Sequence, residues 1–270
     1  QDQGWYLFGV TQRGSVASAQ VATAAPWQDS DQPVRLLEYG DLAAVVRPVL
    51  LAEFGAEALE ERAADPGWLE AVVRGHNDVI AAIHRVQAVL PARFGSVYAD
   101  LEDLRAALED GHDALQAHLR RLEGTDEWAI HVYAERPVVE QWAAAESPDV
   151  DRLQREIATA RPGRAYFLQR KLADERAAAI DRAFSDLAQT AYDHLATYAL
   201  AGQSNPLTRV TQRAKDEVEI LRAAFLVPRA GVDTFLSEVR ALGDRKAGLD
   251  ADYSGPWPPY SFAERMEELP

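Results

Sequence analysis

Six histidines and 43 acidic residues are the side chains in this 270-residue sequence best suited to acid–base or metal chemistry. Their spacing decides whether such chemistry is available. His76 and His84 stand eight residues apart in one helical pattern, more than two turns, so one ion does not join them directly. His112 and His118, six apart, fall on different helical faces. His131 lies in an alternating segment on the side away from Trp128, and His194 precedes Leu195 late in a long helical pattern. No HExxH or HxH spacing occurs. The absence of cysteine removes thiolate zinc frameworks, disulfides and thiol nucleophiles. His76 stands on an apolar stripe, which suits a hydrogen-bonded core histidine. Neither a metal nor a cofactor is expected.

Nucleophile signals are equally thin. Ser96 in RFGSV lacks the glycine framing of GxSxG, and Ser204 and Ser254 have no base at a recognisable spacing. GPW and FGS do not supply a phosphate-cradling glycine pattern. Asp100, Glu102 and Asp103 read as the acidic first turn of a helix, favoured by its dipole. No catalytic residue is assigned, and the protein is not expected to be an enzyme. Two arginines stand out instead, Arg93 in LPARFG and Arg164 in PGRAY, each between apolar anchors and next to Pro or Gly. Each can lay its stem on apolar surface while the guanidinium meets a carboxylate or the carbonyls of a turn, or it can contact a partner. With Phe94, Gly95 and Tyr166 they are structural candidates.

The elements that must carry these residues follow from periodicity. Trp5–Val10 (WYLFGV) reads as a buried strand, and Val34–Val49 as two strands joined at Gly40–Asp41 and closed by Pro48. Trp68, Val72, His76, Val79, Ile80, Ile83, Val86 and Leu90 give a helix that opens after Asp65–Pro66 and ends before Pro91. Ala92–Tyr98 is extended. A second helix spans Leu101 to Leu122, stopped by Gly124. EWAIHVYAE alternates as a half-buried strand. A broken helical region covers Pro137–Ala160. A long helix opens at PGRAYFLQRK, with the stripe Ile180, Phe184, Leu187, Ala191, Leu195 and Tyr198. Strands are expected at Thr208–Gln212 and Glu219–Pro228, joined at Lys215–Asp216. A short helix from Val232 to Leu242 and a last strand at Leu249–Gly255 complete the chain.

The fold class is therefore α+β. A small N-terminal α+β domain (1–124) precedes a ferredoxin-like, split βαβ domain (125–255), because the second half reads strand, helix, strand, strand, helix, strand. An aromatic and proline tail (256–270) is expected to pack back on the protein. In this tail, Pro258 and Pro259 restrict the backbone, and Trp257, Tyr260 and Phe262 offer apolar area worth roughly 1.5–3 kcal/mol each if buried. The expectation is a clamp with its rings buried.

Composition limits the partners. A formal net charge of −15 argues against nucleic acid, which needs clustered cations. No apolar run approaches the ~20 residues of a membrane-spanning helix, so a lipid membrane is not expected as a partner. The start, QDQGWYLFGV, has no basic region and no cleavage-site pattern, so a signal peptide is not expected. Ala71, Val73, Ala81 and Ala82 widen the apolar stripe around Trp68–Leu90 beyond one helix face. Trp68, Val72 and Val73 are the resulting partner-surface candidates.

VLPARFGSVY (Val89–Tyr98), PGRAYFLQRK (Pro162–Lys171) and SGPWPPYSF (Ser254–Phe262), in this order, resemble the gas vesicle GvpF/GvpL family, and the similarity takes in nearly the whole chain. Ala92 and Ser96 are mild departures from the family pattern. The resemblance implies an accessory or minor structural protein of gas vesicle assembly, located in the cytoplasm or on the gas-facing side of the vesicle. Its implied partners are the major, small hydrophobic shell protein and other gas vesicle accessory proteins, and a monomer is the favoured state. An enzyme on a ferredoxin-like scaffold, or a scaffold protein without a vesicle role, are the alternatives.

Overall fold

The structure, a computed structural model, describes residues 3–14, 32–206, 216–246 and 248–263. The chain divides into two compact units, Gln1–Glu127 with Pro256–Pro270, and Trp128–Gly255. Both combine a β-sheet with helices, so the fold is α+β.

In the first unit, β1 (Gln3–Gln12), β2 (Arg35–Tyr39), β3 (Leu42–Leu50), β4 (Val89–Pro91) and β5 (Val97–Tyr98) form one sheet in the order β2-β3-β1-β4, with β5 also paired to β1. The central strands β1 and β3 are buried almost throughout, which is why they read as continuous apolar runs rather than alternating ones. Their antiparallel register slips between Leu7 and Gly9, leaving Phe8 as an extra residue in β1. β3 continues past Pro48 to Leu50, where a close had been expected. The β2 register ends at Val46, so Pro48 interrupts no ladder on that side and still sits opposite Trp5.

Helix α1 (Leu51–Phe54) and helix α2 (Ala56–Arg62) follow β3, and neither is signalled by a strong period. α3 (Pro66–His84) opens where Asp65 accepts hydrogen bonds from the backbone of Gly67 and Trp68. It buries Val72, His76, Val79, Ile80 and Ile83 against Tyr6, Phe8, Val45 and Val49. The helix stops earlier than its apolar spacing implies. Val86 is exposed, and Leu90 belongs to β4, where it pairs with Val10. Of Ala92–Tyr98, only β5 is strand. The expected helix from Leu101 to Leu122 is two helices, α4 (Leu101–Asp110) and α5 (His112–Leu122), separated by Gly111 outside the helical region. Asp100 caps α4 by accepting from the Glu102 and Asp103 amides. Gly124, with φ +67°, turns the chain from α5 into the next strand.

The second unit holds most of β6 (Thr125–Glu135), then α6 (Arg136–Glu146), α7 (Pro148–Thr159), α8 (Pro162–Ala196), β7 (Ala201–Ser204), β8 (Glu217–Pro228), α9 (Val232–Arg240), α10 (Leu242–Arg245) and β9 (Leu249–Trp257). The sheet order is β7-β8-β6-β9. Ile130 and Val132 of β6 and Phe225 and Val227 of β8 pack on Leu187, Ala191 and Leu195 of α8 and on Phe235 and Val239 of α9. The strand partner of β8 lies at Ala201–Ser204, where the sequence pattern predicts the end of the long helix. α8 stops at Ala196, and Tyr198 lies beyond it. The expected strand at Thr208–Gln212 and the joint at Lys215 fall outside the described residues. Leu242–Arg245 forms a separate short helix that runs through Gly243 rather than stopping there.

Candidate functional site

The LPARFG segment acquires its role from two residues far away in sequence. Tyr6 on β1 places its hydroxyl 2.9 Å from Nδ1 of His76 on α3, and the Gly95 amide donates to the same oxygen at 3.2 Å. His76 also has a backbone hydrogen bond to Ala92. With the imidazole N–H directed to that carbonyl, Tyr6 donates to Nδ1 and accepts from Gly95, and every member is satisfied. The His76 ring stacks on Phe8 and meets Phe94 edge-on, with centroids 5.8 Å apart in each case. Gly95 needs φ +85°, a conformation that favours glycine, and an added Cβ would lie 3.3 Å from the Leu59 side chain. Arg93 is exposed, and the group it contributes to the turn is its carbonyl, which accepts from the Ser96 amide and hydroxyl. Burial holds the His76 pKa down at about 4, so the ring is neutral at pH 7.

The C-terminal segment meets this unit through a second polar cluster. Pro258 and Pro259 are buried. Tyr260 donates from its hydroxyl to Asn77 Oδ1 on α3 at 3.0 Å. The Ser261 amide and hydroxyl donate to the two carboxylate oxygens of Glu127, at 2.7 and 2.8 Å. Next to Glu127, Asp126 accepts from His84 Nε2 at 2.8 Å in a buried pair. Burial raises the Glu127 pKa, and the two Ser261 hydrogen bonds and the nearby His84 oppose that rise. The rings do not behave as expected. Trp257 is 47% exposed, Tyr260 37%, and Phe262 half-buried. The segment is seated by its prolines and by hydrogen bonds, because Ser261 and Tyr260 reach buried or fixed acceptors while the rings lie along the surface.

The remaining candidates separate. Trp68 is half-buried, in contact with Phe54 and beneath the Arg62 guanidinium. Val72 is 2% exposed and belongs to the core, which removes it from any free surface; Val73, one residue on, is half-buried. Ala71, Ala81 and Ala82 are half-buried as well. Arg164 does not lay its stem on apolar surface. Its side chain is exposed and 3.7 Å from Glu156, and Tyr166 beside it is exposed too.

Three of the other histidines pair with acids: His112 with Asp41, His131 with the buried Glu219, and His194 with Glu238. Glu219 additionally accepts two bonds from Arg222. Among the described residues, no group of three or more His, Asp and Glu side chains could hold a metal ion. No helix among them is long and apolar enough to cross a membrane. A cleft of about 520 Å³ in the second unit is lined by apolar Leu187, Ala191 and Leu242 and by both acids and bases, among them Asp186, His194 and Lys246. Sequence reasoning missed the Glu127–Ser261 and Tyr6–Gly95 contacts, since partners 134 and 89 residues apart leave no local signal.

Comparison with known proteins places this geometry. Residues 4–264 match the family described as gas vesicle synthesis protein GvpL/GvpF. The chain is 35% identical over 238 residues to gas vesicle protein L of Streptomyces sp. (strain CB03234), covering 88% of this chain and 85% of that protein. It is 28% identical to gas vesicle protein F of the same strain, covering 87% and 90%. The crystal structure of GvpF from Anabaena sp. PCC7120 superposes with a TM-score of 0.71 at 18% identity, covering 97% of this chain and 98% of that one, so the two share a fold. A match over nearly the full length, reinforced by a 35% identical relative, makes this chain a member of the GvpL/GvpF family of gas vesicle synthesis proteins.

Proposed function

We propose that this protein is a non-enzymatic accessory or minor structural protein of gas vesicle assembly, which binds the small hydrophobic shell protein and helps nucleate or organise the shell. The observation that carries the reading is the family match over residues 4–264. The higher identity to the L protein than to the F protein of one Streptomyces strain, 35% against 28%, favours an L-type member. The order strand, helices, strand, strand, helices, strand, with the sheet order β7-β8-β6-β9, supports a ferredoxin-like second unit.

A very hydrophobic shell subunit must be held before it polymerises, and a partner does this through apolar surface or an added edge strand. On the first unit the remaining apolar candidates are Trp68, Val73 and the exposed Val86. The bonds of Tyr260 and Ser261 then act as a clasp that keeps the C-terminal segment on α3 and the start of β6 and fixes the surface offered there. The protein would work in the cytoplasm, at the growing vesicle. Co-purification of the shell protein with this chain tests the reading. Val73→Asp combined with Val86→Asp should abolish capture while leaving the melting temperature within about 2 °C of wild type. If the wild-type chain captures no shell protein, the reading fails; if the variant captures it as well as the wild type does, the surface lies elsewhere.

A further inference from the structure

Among the described residues, the two most exposed large apolar side chains are neighbours, Tyr166 at 67% and Phe167 at 72%, near the start of α8. Their position follows from the helical period. In the first half of α8 the half-buried residues are Ala165, Leu168, Leu172 and Glu175, a three- and four-residue spacing that faces the packed neighbours α6 and α7. Tyr166 and Phe167 fall off that stripe, with ring centroids 5.8 Å apart and edge to face. The first fully buried residue of α8 is Ala179, so the opening turns of the helix are only partly covered.

Charge isolates the same spot. From Arg161 to Lys171 the chain carries Arg161, Arg164, Arg170 and Lys171 and no acid, within a protein of net charge −15. All four are exposed. Among the described residues, Arg164 alone of the four has an ion pair, 3.7 Å from Glu156, which is itself shared with Arg152 at 4.0 Å. Exposed pairs of this kind contribute little to stability, and the next acids along the helix, Asp174 and Glu175, stand beyond the four cations. An adjacent pair of aromatic rings amid cations is the composition of an interface anchor rather than of a solvated helix face.

We propose that this end of the α7–α8 pair is a docking surface for an acidic segment of a partner protein, one that offers apolar side chains to Tyr166 and Phe167 and carboxylates to the four cations. A protein segment suits it better than an anionic bilayer. A flat, uniformly charged membrane acts on the whole chain at long range and repels its net negative charge, whereas a short segment experiences only the local field. The inference does not depend on the shell-protein reading, which places its surface on the first unit.

The probe is a labelled synthetic amphipathic helix of leucine and glutamate, compared by fluorescence anisotropy with its leucine–lysine counterpart. Wild-type protein should bind the acidic peptide and not the basic one, and binding should weaken as salt rises from about 50 to 300 mM. Arg164→Glu with Arg170→Glu should lower affinity at least about tenfold, and Tyr166→Ser with Phe167→Ser should do the same. All four side chains are exposed, so the melting temperature should hold; if a double variant melts lower, Phe167→Ser alone carries the test. Failure to bind the acidic peptide, or equal binding by the variants, overturns the proposal. So does binding to phosphatidylglycerol vesicles in place of the peptide. A wild-type dimer in sedimentation that the same substitutions dissolve also overturns it, by making a second copy the occupant.

Discussion

Glu127, buried at the start of β6, accepts hydrogen bonds from both the backbone amide and the hydroxyl of Ser261, 134 residues later. One side chain thus satisfies two donors of a segment that has just left β9. The pairing gives the proline-rich end of the chain a fixed seat on the first unit, with Tyr260 and Asn77 alongside.

Removing that seat should loosen the segment without unfolding the cores. Ser261→Ala should cost about 1–2 kcal/mol and Tyr260→Phe about 1 kcal/mol in denaturant unfolding. Trp257→Ala should cost less than either, about 0.5 kcal/mol, because the ring is half in solvent. A larger loss at Trp257 than at Ser261 would show that the rings, not the polar contacts, hold the segment.

The same contact controls a carboxyl titration. Burial already lifts the Glu127 pKa, and both Ser261 bonds favour the charged form, so Ser261→Ala should lift it further. Because the folded value lies above the unfolded one, this contribution to stability is greatest at low pH and is lost as pH rises through the folded pKa. Carbon NMR titration of the side-chain carboxyl reads the shift, and an unchanged value would separate Ser261 from Glu127 in solution.

His76 should make the protein sensitive to acid in the opposite sense. Its folded pKa of about 4 lies below the ordinary value of 6.5. Between those limits the unfolded chain takes up a proton that the folded one refuses, so stability falls as pH drops, by at most about 1.4 kcal/mol per pH unit and roughly 3 kcal/mol in all. Comparing wild type with His76→Gln by denaturant unfolding from pH 7 to pH 4 isolates the effect. Parallel curves would remove His76 as its source.

Tyr6 joins two partners through one oxygen, and its loss should be felt at both. Tyr6→Phe keeps the ring but leaves the Gly95 amide and His76 Nδ1 without their partner, at a cost of about 1–3 kcal/mol. Gly95→Ala should cost about 1–2 kcal/mol, since the φ of +85° is strained for alanine and the Leu59 side chain must give way. A neutral Gly95→Ala would mean that the turn relaxes to another conformation.

The sequence by itself determined the local elements wherever burial imposed a period. WYLFGV became the central strand, the Gly40–Asp41 turn joined β2 to β3, Asp65–Pro66 opened α3, and the alternation in EWAIHVYAE marked β6. Each is a short-range signal, because a residue's face is fixed by its position within the helix or strand that carries it. Tertiary structure alone decided the rest. The apolar spacing through Leu90 could not show where α3 ends, since Leu90 is buried equally well by pairing with Val10 of β1. Leucines of α4 and α5 are buried on both sides of Gly111, so their spacing concealed the break. Neither Val72 in the core nor Tyr166 in solvent could be assigned by residue type, because both depend on which neighbour covers which helical face. Tyr6 with His76 and Glu127 with Ser261 are decided by the path of the whole chain, and a hydrogen bond between groups that far apart in sequence forms only once the intervening elements have packed.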